Sequence, residues 1–174
     1  MAGFTERMIG AATLDVGTYE EVEHDQSATG QAAGVVALVA IAGAIGSYGT
    51  GGLYGSVGQV VYAFIAWAVW AAITLLIGTK VFGGTADMGE MLRTLGFAQS
   101  VGVIKVLGII PILGWIASLA AGLWMLVCGV VAIRQALDFT TGKAVGTVLL
   151  GWLVMMVLGV LLGGFVGGMT GALS

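Results

Sequence analysis

Residues 94–133 read TLGFAQSVGVIKVLGIIPILGWIASLAAGLWMLVCGVVAI, a stretch with one charge, Lys105, and one proline, Pro111. As a single straight helix it would extend about 60 Å, twice the roughly 30 Å hydrocarbon core of a bilayer. The segment must therefore fold back on itself. Pro111 marks the place, because its ring removes an N–H and disfavours helix at the preceding residue. "IIPILGW" (109–115) then reads as a tight hairpin joining two spans, near 94–110 and 112–133.

Working outward, three further apolar runs appear. Residues 31–48, "QAAGVVALVAIAGAIGSY", carry no charge, and 57–79 contain Trp67 and Trp70 and stop at Lys80. Between them "GTGGLYGSVG" (49–58) reads as a glycine-rich turn. The last run, 144–169, is again charge-free. Two polar stretches separate the runs, "KVFGGTADMGEMLR" (80–93) and "RQALDFTTGK" (134–143). Both look like helix starts, with Thr85 or Asp87 and Asp138 or Thr140 as cap candidates. The expected fold is an all-α polytopic membrane bundle of five spans over residues 28–174, preceded by a segment, 1–27, that does not cross.

Composition agrees with lipid as the solvent. The chain of 174 residues is 59% hydrophobic and 9% charged, against about 25% charged in soluble domains. Six of the nine acids (Glu6, Asp15, Glu20, Glu21, Glu23 and Asp25) precede residue 26. No basic run points to nucleic acid. The lone Cys128 sits in an apolar run, which leaves a small buried packer as its reading. The opening "MAGFTERMIG" has no basic region followed by an apolar one, so no signal peptide is expected.

Lys and Arg collect on the cytoplasmic side of membrane proteins. With five spans and a cytoplasmic amino terminus, Arg7, Lys80, Arg93, Arg134 and Lys143 all fall inside, and the outer loops carry no charge. The expectation is a multi-pass protein of the cell inner (plasma) membrane, amino terminus in and carboxyl terminus out. Ahead of the first span, "FTERMIGAA" places Phe4, Met8 and Ile9 on one helical face, with Glu6 and Arg7 away from it, which suits a membrane interface. Thr18 and Glu21 fit a capping box that opens an acidic helix, "YEEVEHD", and Ser27 or Thr29 can cap the first span.

Four features are candidates for function. Gly159, Gly163, Gly167 and Gly171 recur every four residues, with Gly164 and Gly168 alongside, a bare helical stripe of the kind that lets membrane helices approach closely. Packing within the chain, a homo-oligomer or another membrane helix could each use it; Gly30 and Gly34 begin a shorter face of the same kind. Lys105 is the one ionisable residue inside a span, and such residues are functional candidates. It either snorkels to the outer turn or makes a hydrogen bond within the chain, or else it contacts a substrate, a lipid phosphate or a partner carboxylate. The acidic helix, through Glu20 and Glu21, is expected to fold back on Lys80, Arg93, Arg134 or Lys143, with Tyr19 and Val22 buried beneath it. Finally, His24 with Glu20 and Glu21 could touch a metal, but a solvated face is the plainer reading. No nucleophile–base pair and no G-x-x-x-x-G-K-[ST] loop is present, so neither enzyme activity nor a cofactor is expected.

The stretch "GEMLRTLGFAQSVGVIKVLGIIPILGWIASLAAGLWMLVCGVVAIRQALDFTTGKAVGTVLLGW" resembles the body of the Ypt/Rab-interacting (Yip-type) membrane proteins in their bacterial form. "AIRQALDFTTGKA" (132–144) is its most specific piece, and "ERMIGAATLDVGTYEEVEHDQSATGQA" is similar to the amino-terminal part of those members. The resemblance implies five spans and a cytoplasmic amino terminus. Eukaryotic relatives engage small GTPases in vesicle traffic and carry an Asp-Leu-Tyr-Gly-Pro motif. Here only Leu53-Tyr54-Gly55 echoes it, after the first span, so no GTPase-binding residue carries over. The resulting expectation is a non-enzymatic scaffold that packs with membrane lipid and other helices, as a homo-oligomer or an accessory subunit. The alternative is a small channel or transporter with Lys105 on its path.

Overall fold

Inside a bilayer every backbone N–H and C=O needs a partner from the chain itself, and an isolated apolar run meets that need only as a helix. The computed structural model describes residues 2–172, with side chains described except at 48–57, 111 and 162–172. Helices and short turns make up the described residues, with no strand among them. In chain order they are α1 (Phe4–Ala12), α2 (Val16–His24), α3 (Ala28–Gly46), α4 (Tyr48–Lys80), α5 (Met88–Ala98), a 3-10 segment (Ser100–Ile109), α6 (Pro111–Ala136) and α7 (Thr141–Ala172). Four helices are long and apolar enough to cross a membrane: α3, α4 from Gly58, α6 and α7. A fifth crossing is available if α5 and the 3-10 segment, bent by 41°, count as one broken span.

The segment expected as a span near 94–110 is thus a bent pair of elements. The physical basis of the bend lies in the packing against α3. A Cβ on Gly96 would come within 2.8 Å of Ala32 Cβ, one on Gly102 within 2.5 Å of Val39 Cγ1, and one on Gly108 within 2.7 Å of the Gly46 carbonyl oxygen. Six residues on one side match seven on the other. Two turns of 3-10 helix take six residues and rise about 12 Å, while seven residues of α-helix make about two turns and rise about 10.5 Å. Winding as a 3-10 helix thus keeps Gly102 and Gly108 facing α3 in step with its own repeat, and Gly96, on α5, meets the same helix before the bend. Because the contacts start near the beginning of α3 and end at Gly46, the broken pair runs alongside α3 for most of its length, parallel to it.

The turns are shorter than expected. The glycine-rich stretch 49–58 is not a turn but the first part of α4, and Ser47 alone separates α3 from α4. In lipid the need to satisfy each peptide group outweighs the roughly 1 kcal/mol helix penalty of each glycine. At Pro111 the chain does reverse: Ile110 is extended (φ −99°, ψ 109°) and Pro111 opens α6 in its first turn, where its missing N–H would have no helical partner anyway. Gly46, Gly108 and Gly114 meet at this end, since a Cβ on Gly114 would sit 2.5 Å from the Gly108 Cα. Leu14 (φ 64°) and Asp138 (φ 53°) are left-handed, turning the chain between α1 and α2 and between α6 and α7.

One core joins the amino-terminal helices to the bundle. Ala11, Tyr19 and Val22 are fully buried in the same cluster as Val35, Met91, Phe97 and Cys128. α2 is capped by Asp15, whose Oδ2 accepts from the Thr18 N–H at 3.0 Å, so Thr18 lies within the helix rather than at its cap. On α1 the expected apolar face is rotated: Arg7 is buried and Ile9 is 59% exposed. Phe4 and Met8 pack inward, with the Phe4 ring 3.7 Å from where a Gly34 Cβ would be, whereas Gly30 faces nothing within 4 Å. Ser27 makes no cap bond to α3; its hydroxyl donates to Asp25 Oδ1 at 2.5 Å.

Candidate functional site

Two places concentrate polar chemistry against the apolar bundle: the docked amino-terminal helices and an interhelical cavity. At the first, Arg7 is the hub. Its Nη2 donates to Glu21 Oε1 at 2.8 Å and to Asp25 Oδ2 at 2.7 Å, and its Nη1 donates to Gln31 Oε1 at 3.0 Å. A guanidinium presents five donors in a rigid fork, which is why one residue can tie α1, α2 and α3 together. The Glu21 carboxyl is held below its ordinary value by Arg7 and by the Ala2 N–H. Asp25 is lowered to about 2 by the Ser27 hydroxyl and by Arg7.

Arg93, from α5, fastens α2 from below. Its Nε donates to the carbonyls of Val22 and Glu23, both at 3.0 Å, and its Nη2 donates to Glu23 as well. Those carbonyls lie in the last turn of α2, where helix C-termini carry unpaired acceptors and partial negative charge. Tyr19 donates from its hydroxyl to the Ala11 carbonyl at 3.0 Å, and burial holds its phenol proton far above the usual range. On α6, Trp124 Nε1 donates to the Ala12 carbonyl at 2.7 Å. Trp124 stands twelve residues before Ala136, about 18 Å along α6, so the turn after α1 reaches well down the bundle.

The expected partners of the acidic helix distribute differently. Glu21 pairs with Arg7, and Glu20 Oε1 accepts from Gln135 Nε2 at 3.1 Å. Among the described residues none of Lys80, Arg93, Arg134 and Lys143 forms an ion pair, since both ion pairs present belong to Arg7. Arg134 bonds its neighbour Gln135. Lys143 Nζ donates to the Phe82 carbonyl at 3.0 Å and lies 5.2 Å from the centre of the Phe139 ring. That joins the two polar stretches, as does the Thr85 hydroxyl with Asp138 Oδ2 at 3.4 Å. α5 is capped by Asp87 and Glu90 in a reciprocal box. No group of three metal-ligating side chains occurs among the described residues. His24 Nδ1 lies 2.9 Å from the Glu20 carbonyl, which raises the imidazole's affinity for its proton together with Glu23.

Arg7, Asp15, Gln31 and Trp124 were missed from sequence. Arg7 looked like the polar face of a surface helix, and its signal was the arithmetic of charge: one cation facing six acids in the opening segment.

The second place is a cavity of about 560 Å³ bounded by α3, α4, the broken pair, α6 and α7. Its walls include Trp67, Trp70 and Trp152, and its polar groups are Lys105, Gln59, Gln99 and Tyr62. Lys105 stands on the 3-10 face that carries Gly102 and Gly108, and its own carbonyl oxygen lies 2.2 Å from where a Gly46 Cβ would be. Of the glycine stripe, Gly159 faces nothing within 4 Å. Gly163, Gly164, Gly167, Gly168 and Gly171 lie outside the residues whose surroundings are described.

Neither the curated proteins nor the solved structures yields a match. A family model does: the Yip1 domain matches residues 17–162, from α2 into α7. Since that covers most of the chain, and the described helices form a polytopic membrane bundle, the protein belongs to the Yip1-domain family of multi-pass membrane proteins.

Proposed function

We propose that the protein is a non-enzymatic scaffold of the cell inner membrane, amino terminus cytoplasmic, that works by packing its own helices against those of a second copy or of a larger assembly. The observation that carries this reading is the state of α7. Its first half is fixed to the bundle through Ala144, Thr147, Val148 and Gly151, whereas residues 156–161 are exposed on every side. A glycine with no neighbour weakens a helix and gains nothing in return. In a membrane, small residues at four-residue spacing promote close helix association, and Gly159 heads such a series in the sequence. Orientation rests on the positive-inside bias: Arg7, Lys80, Arg93, Arg134 and Lys143 belong to the end that holds α1 and α2.

Mass measurement in mild detergent and in lipid nanodiscs tests the idea. The wild-type chain is expected as an oligomer or with a stoichiometric membrane partner, and Gly163→Leu is expected to disperse it. A wild-type chain that is monomeric and without a partner in both settings would sink the proposal. The second reading, a small channel or transporter, is favoured by the cavity around Lys105. Solute or ion flux through reconstituted vesicles, abolished by Lys105→Ala, would replace the first reading with it.

A further inference from the structure

We infer that the cavity beside Lys105 is a binding site for an acidic amphiphile, a single long acyl chain ending in a carboxylate or phosphate, whose anionic head meets Lys105 Nζ. The inference is independent of the packing role of α7. Four observations carry it. First, Lys105 lines the cavity rather than the lipid face, and among the described residues it has no hydrogen-bond or ion-pair partner. Second, the chain supplies no counter-ion: no Asp or Glu lies between residues 26 and 86 or between 91 and 137. A lone ammonium at membrane depth is costly, and an anion from outside the chain removes that cost.

Third, the cavity's one charge lies at one end, and the lining away from it is mainly apolar, with Gln99 its polar exception. Lys105, Gln59 and Gly43 lie towards the end where Gly46 meets Gly108, with Gln59 Oε1 already accepting from the Ser47 hydroxyl at 3.2 Å. Along α4 the lining continues from Gln59 to Trp70, about 16 Å of helix, and ends among Leu95 and Val148. That gradient matches a charged head and a hydrocarbon tail, and it does not match a small hydrated anion. Fourth, the volume of about 560 Å³ falls within the roughly 300–1,000 Å³ of small-molecule sites. Tyr62 and Trp152, on its rim, are 67% and 64% exposed, so a ligand can enter sideways from lipid.

The full-length protein in mild detergent is titrated with dibromostearate, with a brominated lysophosphatidic acid, which also has one acyl chain, and with dibromostearate methyl ester. Bromine quenches tryptophan on contact, so Trp67, Trp70 and Trp152 report occupancy. Saturable quenching is expected from at least one acid, and which acid distinguishes a carboxylate from a phosphate head. Lys105→Met should weaken that binding by about tenfold or more and Lys105→Arg should largely keep it, as befits a charge-assisted contact. The inference is overturned if neither acid quenches saturably, if the methyl ester binds as tightly as the acid, or if Lys105→Met, eluting and melting as wild type, binds unchanged. Should Lys105→Met fail to fold, the comparison of acid with ester on the wild-type chain decides alone.

Discussion

Arg93 and Glu23 show how much depends on single side chains where an amino-terminal segment meets a membrane bundle. Arg93 is 6% exposed and spends its donors on backbone carbonyls of α2. Arg93→Met leaves those acceptors buried without a donor and should lower stability by about 2 kcal/mol. Arg93→Lys should recover little of it, because an ammonium cannot reproduce the planar fork. Thermal melts in detergent distinguish the two, and equal stability of Arg93→Met and wild type would remove Arg93 as the anchor. Glu23 is 7% exposed. Burial first, and the negative Glu90, Asp138 and Glu20 after it, raise its carboxyl from 4.5 to about 7, against the opposing pull of His24. A group whose folded pKa is raised contributes fully while both states hold the proton, below about 4.5, and the contribution is lost as pH rises through about 7. Asp25, lowered to about 2, works in the opposite sense, its contribution vanishing as pH falls from about 4 towards 2. Glu23→Gln should therefore flatten the decline in melting temperature between about pH 5 and pH 8 while leaving the acid limb in place. An unchanged decline would mean that Glu23 does not titrate in that range.

At the scale of elements, glycine divides into two populations that the sequence presents alike. A Cβ on Gly108 would lie 2.7 Å from the Gly46 carbonyl oxygen, whereas on Gly129 it would meet nothing within 4 Å. Gly108→Ala should then destabilise by about 1–3 kcal/mol through forced separation of the broken pair from α3. Gly129→Ala should be neutral or stabilise by up to about 1 kcal/mol, since it only improves helix propensity. A melt series on both variants checks the contrast, and similar shifts would undo the close-approach account. Most of the elements were legible: runs of apolar residues bounded by Lys80, Arg93, Arg134 and Lys143 are hard to mistake, and Pro111 signals the reversal plainly. The 3-10 winding was hidden because residues 100–109 satisfy an α-helical reading equally well on hydropathy; only the six-residue spacing of Gly96, Gly102 and Gly108 departs from it. The helical state of 49–58 was hidden for a related reason, since glycine richness signals a turn in water but not where peptide groups have no solvent to bond. At the candidate sites, Lys105 was visible as a lone charge in a span. The cavity beside it was not, because its walls come from five separate segments, and Arg7's role required knowing that α1 folds back under α2.

For the whole molecule, the contacts assign each helix end to one of two poles, and that assignment makes a topological claim that labelling can test. Gly46, Gly108 and Gly114 meet at one pole, so Ser47 and Ile110 share a side. At the other pole Gly84 packs on Leu137 and Phe139, and Thr85 reaches Asp138, which places both polar stretches with α1 and α2. If the broken pair crosses the membrane, as its path along α3 implies, these poles are the two membrane faces and the crossings number five. With the buried Cys128 replaced by alanine, single cysteines at Ser47 and at Thr85 report the sides. A membrane-impermeant maleimide should label Ser47→Cys in intact cells and Thr85→Cys only after the membrane is opened, given the proposed cytoplasmic amino terminus. The reverse pattern would keep the fold and invert the orientation. Labelling of both from one side would instead mean that the two poles do not straddle the bilayer and that α4, which connects Ser47 to Thr85, does not cross it.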